Sequence, residues 1–349
     1  MKHSTLITRR LTPFILLFFA LFLAACSSTG DGQKGAPQWI DSDSKKFPKA
    51  MYLVGQGKGD NASDAKDRAR SDLAKQFEVA VVEQSQQSQN FSSSSVGGVA
   101  QQSLEQRISR QLLTRTSRTL EGVEIAEQWQ NKESGQYYAL AILSRPRAQR
   151  QFEQKIRALD DQAYQSLQQA ELENDNLIRA ANVHKAIKAQ QQRLAVQSSL
   201  QVVDSSGRGK PPTISLAELI RSRETLLAKV GMYSRSDATG SVTNENLEKI
   251  MAAAVAGAGF SHADKTAASY HLVLELALDP GVIERGWYWA RGTVQVTLLR
   301  PDGKEIGVQR WPIKASATTS ERANQRLLTE IDAILKKNLR QTLLSFVLQ

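Results

Sequence analysis

The only cysteine of this 349-residue chain stands at position 26, directly behind the apolar run Leu11 to Ala25. No disulfide can form within one molecule, and no pair of thiols can hold a metal. The chain must therefore be stabilised by packed apolar cores. A length of this order allows two or three of them.

The segment before Cys26 has the layout of a secretory signal: Lys2, Arg9 and Arg10 lead, an apolar stretch follows, and Ala24 and Ala25 supply small residues at its end. It is shorter than the roughly 20 apolar residues that span a bilayer. Leu23-Ala24-Ala25-Cys26 resembles the lipobox of bacterial lipoproteins. That resemblance implies cleavage before Cys26, thioether lipidation of its sulfur and acylation, as by palmitate, of the new amino terminus; the alternative is an ordinary signal with a chance cysteine. Ser27 and Ser28 follow where an aspartate would retain such a protein at the inner membrane, so the resemblance implies an outer-membrane anchor facing the periplasm. Acyl chains contribute about 0.8 kcal/mol per buried methylene, enough to make a membrane-spanning helix unnecessary.

Without residues 1–25 the formal charge falls from +10 to +7. No dense Lys/Arg cluster suggests nucleic acid. Residues 26–38 read as a flexible tether and 39–146 as a first α+β domain. Within it, Met51 to Val54 is predicted as a strand, Gly55 to Gly59 as a turn, and Ser63 to Val82 as a helix with Ala65, Ala69, Leu73, Phe77 and Ala80/Val81 on one face. Gln, Ser and Gly between 84 and 103 predict a mobile loop or frayed helix, and helix resumes with Leu104, Ile108 and Leu112. Alternation at Val123, Ile125 and Trp129, then at Tyr138, Leu140 and Ile142, predicts a hairpin around Lys132 to Gly135. Residues 147–203 carry two helical seams broken at Glu173 to Asn176, which predicts an antiparallel helical hairpin, with one continuous rod as the alternative. Two glycines and Pro211-Pro212 mark 204–213 as a linker. Residues 214–349 are a second α+β domain, with a helix at Asn244 to Ala258, strands at His271 to Asp279, Trp287 to Leu299 and Glu305 to Ile313, and a final amphipathic helix. Both helices are expected on one face of a three-stranded sheet.

Few residues carry chemistry. Gly55-Gln56-Gly57-Lys58-Gly59 lies between a strand and a helix, as a phosphate-binding loop would, yet the third fingerprint glycine falls at Asp60 and no Gly-Lys-Ser/Thr ending follows. A tight turn capped by Asn61 or Ser63 is the plainer reading. His184, His262 and His271 lack partners at metal-ligand spacing, no serine sits in a Gly-x-Ser-x-Gly elbow, and Asp160-Asp161 and Glu171/Glu173 fall on helical surface. These patterns predict no enzyme, cofactor or metal. Carboxylates distant in sequence could still meet, and an enzyme or carrier acting on envelope polymer, with a pocket between the domains, is the alternative.

The anomaly is in the strand Trp287 to Leu299. If Val294, Val296 and Leu298 face the core, Trp287 and Trp289 share the polar side with Arg291, Thr293, Gln295 and Thr297. Pairing Leu298 with Ile306 through the Pro301-Asp302-Gly303 turn would add Trp311, opposite Thr293; a one-residue slip or bulge would remove it. Trp287, Trp289, Trp311 and Arg291 form the candidate interaction surface, unless another element such as the helical hairpin covers it.

Five short motifs occur in order: Pro37-Gln38-Trp39, Tyr52 to Gly57, Ala62 to Ala74, Gly122 to Ile125 with Trp129, and Tyr137 to Ala141. With the lipobox before them, they resemble the LPP-twenty lipoprotein family, a domain also found at the start of flagellar assembly protein T. The resemblance covers Trp39 to Arg145 and implies a secreted α+β lipoprotein domain with no catalytic residues to carry over. The carboxy-terminal unit is similar in architecture alone to small periplasmic domains of envelope assembly lipoproteins. The expected function is a non-enzymatic outer-membrane lipoprotein that binds an envelope protein complex or cell-wall polymer, in flagellar or other envelope assembly.

Overall fold

In the computed structural model, which describes residues 35–92, 121–238 and 242–348, the glycine run at 55–59 lies inside a strand. This strand, β1 (Tyr52–Gly59), precedes the helix α1 (Ala62–Ser92), and the hairpin β2 (Glu124–Gln130) and β3 (Tyr137–Ser144) completes an antiparallel sheet in the order β1-β3-β2. Gly55, Gly57 and Gly59 alternate with Gln56 and Lys58, so all three glycines face one side. That side receives Ala65, Ala69 and Leu73 of α1. A Cβ on Gly55 would collide with the Ala69 carbonyl, and one on Gly57 with the backbone of Ala65 and Ala69. The predicted turn is thus corrected: the glycines are there because helix backbone comes too near for a side chain. Ala141 and Ala139 lie opposite Gly55 and Gly57 and continue the small-residue floor on β3. Asn61 caps α1 as expected, its Oδ1 accepting the Asp64 amide at 2.9 Å.

The opposite sheet face packs Leu140 and Ile142 against the buried Trp39, with Val54, Trp129 and Tyr138 around them. The Gln56 side chain donates to the Trp39 carbonyl at 2.6 Å, which ties the segment before β1 to the sheet. Helix α1 continues to Ser92, past residue 84 where a loop or frayed helix is predicted from composition. Cys26, the signal segment and the helix expected at 104–112 lie outside the described residues.

The described residues form two compact units, one of 35–76 and 121–145, the other of 77–92, 146–238 and 242–348. The second contains the helical hairpin α2 (Arg145–Leu172) and α3 (Asn176–Val203), then α4 (Leu216–Ala228), β4 (Gly231–Ala238), α5 (Asn244–Gly257), β5 (Ser261–His262), β6 (Tyr270–Leu278), β7 (Val282–Glu284), β8 (Trp287–Leu299), β9 (Glu305–Ala317) and α6 (Ser320–Phe346). Its sheet has six strands where three are expected, in the order β5-β4-β6-β8-β7 with β9 also on β8. Strand β4 eludes the sequence because Met232 is its one large inward side chain. It runs parallel to β6, joined through α5.

Helix α6 places Ala323, Leu327, Ile331, Leu335, Leu339 and Leu343 on one buried stripe. Those residues share a single apolar core with Leu274 and Val296 of the sheet, Met251 of α5, Leu227 of α4 and Leu177 and Ile187 of the hairpin. The hairpin is therefore part of this unit, and 204–213 is not a boundary between packed bodies. The break at 173–176 is where expected: Asp175 caps α3 by accepting the Leu177 and Ile178 amides. Its other oxygen accepts the Tyr270 hydroxyl at 2.7 Å, and burial together with this hydrogen bond pushes that phenol above its ordinary pKa.

Two polar clusters tie this unit together, and the first of them holds the expected linker. Arg193, with no exposed surface, donates through Nε to Asp160 at 2.7 Å and through Nη2 to the carbonyls of Lys210 and Pro211 at 3.0 and 3.1 Å. Gln197 Oε1 accepts the Lys210 amide at 3.0 Å. In the second cluster, Arg223 on α4 donates to His184 Nδ1 on α3, 3.3 Å away, while Glu224 receives both Arg223 and Arg340 of α6. A guanidinium only donates, so Nδ1 is the acceptor and the imidazole is neutral. Burial first, then the positive charges of Arg223, Lys188 and Arg340, pushes the His184 pKa down to about 3.

Three outcomes follow from this packing. Gly57→Ala should lower unfolding free energy by about 1–3 kcal/mol or more through overpacking, whereas Lys132→Ala in the exposed β2–β3 turn should leave urea midpoints nearly unchanged. Arg193→Ala leaves Asp160 with Gln190 and removes the donor to two carbonyls, and should cost about 1–3 kcal/mol. For His184, the unfolded chain takes up a proton near its ordinary pKa of about 6.5, while the folded pKa is about 3. The unfolded state then binds more protons between these values, so stability present above the upper one is lost as pH falls through the window. His184→Gln keeps an acceptor for Arg223, and its urea midpoint should fall less between pH 7.5 and 5 than that of the wild type.

Candidate interaction surface

Every sheet has two faces, and in the second unit the apolar core accounts for one of them. Residues 271, 273, 275 and 277 of β6 and the odd-numbered residues of β8 point the other way, because direction alternates along each strand. On that face Trp287, Trp289, Arg291, Thr293, Gln295 and Thr297 lie in one row, as the sequence predicts. The helical hairpin does not cover them: α3 contributes to the core on the helical side of the sheet.

The register corrects the position of Trp311. Leu298 pairs with Gly307 rather than Ile306, and the ladder shifts between Leu298 and Leu299. Trp311 consequently stands opposite Val294 and packs, partly buried, against the apolar core. It does not belong with Trp287, Trp289 and Arg291. The same register brings Lys314 opposite Arg291 and Ser316 opposite Trp289.

Lys314 was not singled out by the sequence, and it does the most to shape the surface. Its Nζ sits 4.3 Å from the centre of the Trp289 ring, and the Arg291 guanidinium lies 5.5 Å from the same centre. Two cations over one indole are attracted by its negative π face, each by about 0.5–1 kcal/mol at an exposed site. Arg291 also approaches Glu284 of β7 at 3.8 Å. Such a solvated pair contributes little, but it orients the guanidinium. Farther along the face, Gln295 donates to Glu275 and accepts from Arg310.

Beyond Trp289 the chain forms a hairpin tip. Glu284 pairs with Trp287, which leaves a two-residue turn of Arg285 and Gly286 with φ of 50° and 79°. Positive φ at both positions is the type I′ geometry that matches strand twist, and Arg285 adopts it without being glycine. Val282, Ile283 and Trp287 are 45%, 72% and 45% exposed around this turn.

The remaining candidates are dispersed. His184 is held in the helical cluster, and His271 contacts the Lys265 carbonyl through Nε2 at 3.0 Å and meets Tyr233 edge-on. Asp160 serves Arg193 rather than pairing with a second carboxylate. Among the described residues no group of His, Cys, Asp and Glu is placed to hold a metal, and no helix is long and apolar enough to cross a membrane.

Solved structures resembling the chain include a secreted protein from Helicobacter pylori, 14% identical, with 82% of this chain and 96% of that one covered at a TM-score of 0.42. A minor lipoprotein from Acinetobacter baumannii is 18% identical, with 34% and 92% covered at a TM-score of 0.27. No curated protein sequence matches the chain. Residues 37–144 do match the family described as LPP20 lipoprotein. The matched stretch contains the Trp39 anchor, the glycine-floored strand β1, its helix and the β2–β3 hairpin. Over those residues, about a third of its length, the chain is similar to the LPP20 lipoprotein family.

Proposed function

We propose that the chain is a non-enzymatic outer-membrane lipoprotein, anchored through lipid on Cys26, facing the periplasm, and acting as a binding component of the envelope. The observation that carries this reading is the face holding Trp289 between Arg291 and Lys314 on the side of the sheet away from the helical core. Its ladder of Thr293, Gln295, Arg310 and Lys314 offers donors and positive charge beside indole rings. Aromatic and arginine side chains dominate interface energetics more than their numbers would suggest. An envelope protein complex, or an anionic cell-wall polymer, suits that chemistry. The amino-terminal anchor would fix where the face works, with no need for a membrane-spanning helix.

A photo-crosslinking amino acid at Thr293, carried by the lipoprotein in intact cells, should yield a discrete adduct that the same label at Lys336, on the exposed side of α6, does not. Adding Trp289→Ser and Lys314→Ser should reduce that adduct at least tenfold while leaving the thermal melt unchanged. Equal labelling from both positions, or adducts indifferent to the two substitutions, would show that this face docks nothing. Cys26→Ser should release the protein from outer membranes washed at high salt, where headgroup attraction is screened and only a lipid anchor would hold.

A further inference from the structure

The hairpin tip differs from the docking face beside it in one respect: its apolar side chains are exposed on both sides of the ribbon. Trp287 and Val282 point to the polar face of the sheet, because Trp287 pairs with Glu284 and Val282 with Trp289. Ile283 pairs with Tyr288 and points the opposite way, yet it is the most exposed of the three at 72%. Residues 279–287 form an unbroken exposed run. A flat partner stacked on the sheet could cover one side of this ribbon only. An apolar medium entered by the tip covers both.

The charges around the tip identify that medium. Arg285 occupies the apex, with Arg291, Lys314 and Arg326 behind it, against Asp279, Glu284 and Glu330, whose carboxylate accepts the Lys314 amide. Arg326 donates to the Ser316 carbonyl, opposite Trp289, and so belongs to the same end of the sheet. Positive charge in excess next to a tryptophan and aliphatic side chains is the composition of a bilayer interface, where indoles sit among headgroups and basic side chains meet lipid phosphates. An arginine at the apex limits depth, since its guanidinium must stay with the phosphates.

We infer that the β7–β8 hairpin is a shallow membrane-insertion element for anionic phospholipid surfaces, with Ile283, Val282 and Trp287 entering the headgroup boundary and Arg285 bonding phosphate. This goes beyond the docking reading, as it gives the protein a second membrane contact independent of Cys26. It would hold one end of the sheet at the bilayer surface.

The test uses a chain of residues 27–349, which keeps every described residue and lacks the lipid, with vesicles of phosphatidylglycerol and phosphatidylethanolamine. The protein should sediment with them, and Ile283→Ser and Trp287→Ser should each weaken binding several-fold. Brominated acyl chains should quench tryptophan fluorescence in the wild type and far less in Trp287→Phe. Ile283→Lys separates insertion from simple attraction: it adds a positive charge, so attraction alone would strengthen binding, whereas insertion weakens it. Absence of sedimentation, stronger binding by Ile283→Lys, or equal quenching in Trp287→Phe would overturn the inference. Ile283 points away from the docking face, so failure here leaves the crosslink from Thr293 intact, and failure of that crosslink leaves vesicle binding intact.

Discussion

The second unit depends on the burial of one sheet face. Leu272, Leu274, Leu276, Val294, Val296 and Leu298 have almost no exposed surface, and five helices bring apolar residues to the same core. Full burial of such a side chain contributes about 1.5–3 kcal/mol, so a one-residue slip of β6 or β8 would forfeit most of the unit's stability. The alternation that fixes these residues inward fixes their neighbours outward. Trp289, Arg291 and Gln295 face away from the helices for the same reason that Val294 faces toward them.

The first unit solves its packing in the opposite way, by removing side chains. Gly55, Gly57 and Gly59 with Ala139 and Ala141 make a floor on which α1 lies against backbone, and Ala65 and Ala69 complete it from above. Large residues fill the other sheet face around Trp39, and on the helix face they occur beyond the glycines, at the paired and buried Leu53 and Leu143. A glycine run between a strand and a helix therefore has a reading besides turn or phosphate loop: glycines on alternate residues of the strand itself. The alternation with Gln56 and Lys58 was visible in the sequence, but it was not distinguishable from turn composition without the helix above it.

Polar groups set the geometry where apolar ones cannot. A buried ion pair such as Arg193 with Asp160 is weak evidence for net stability, because desolvation offsets attraction. Its directional bonds nonetheless hold the Lys210-Pro211 segment to α3, and His184 with Arg223, Glu224 and Arg340 joins three helices. Prolines and glycines at 204–213 made this stretch read as a boundary. Composition reports what the backbone permits; Arg193 and Gln197, outside the stretch, decide what it does.

The sequence by itself determined the helices of the hairpin and carboxy terminus, the β2–β3 hairpin, the long strands and the outward direction of Trp287 and Trp289, since each follows from periodicity within one segment. It also carried the family motifs between 37 and 144. Tertiary structure alone decided three things. Strand β4 exists because β6 supplies its ladder, its own residues being too polar to declare it. Trp311 joins the core because the β8–β9 ladder is displaced by one residue. Lys314 reaches Trp289 through that same displacement. Each of these depends on pairing between distant segments, where a shift of one residue exchanges the two faces, and local pattern holds no information about that shift.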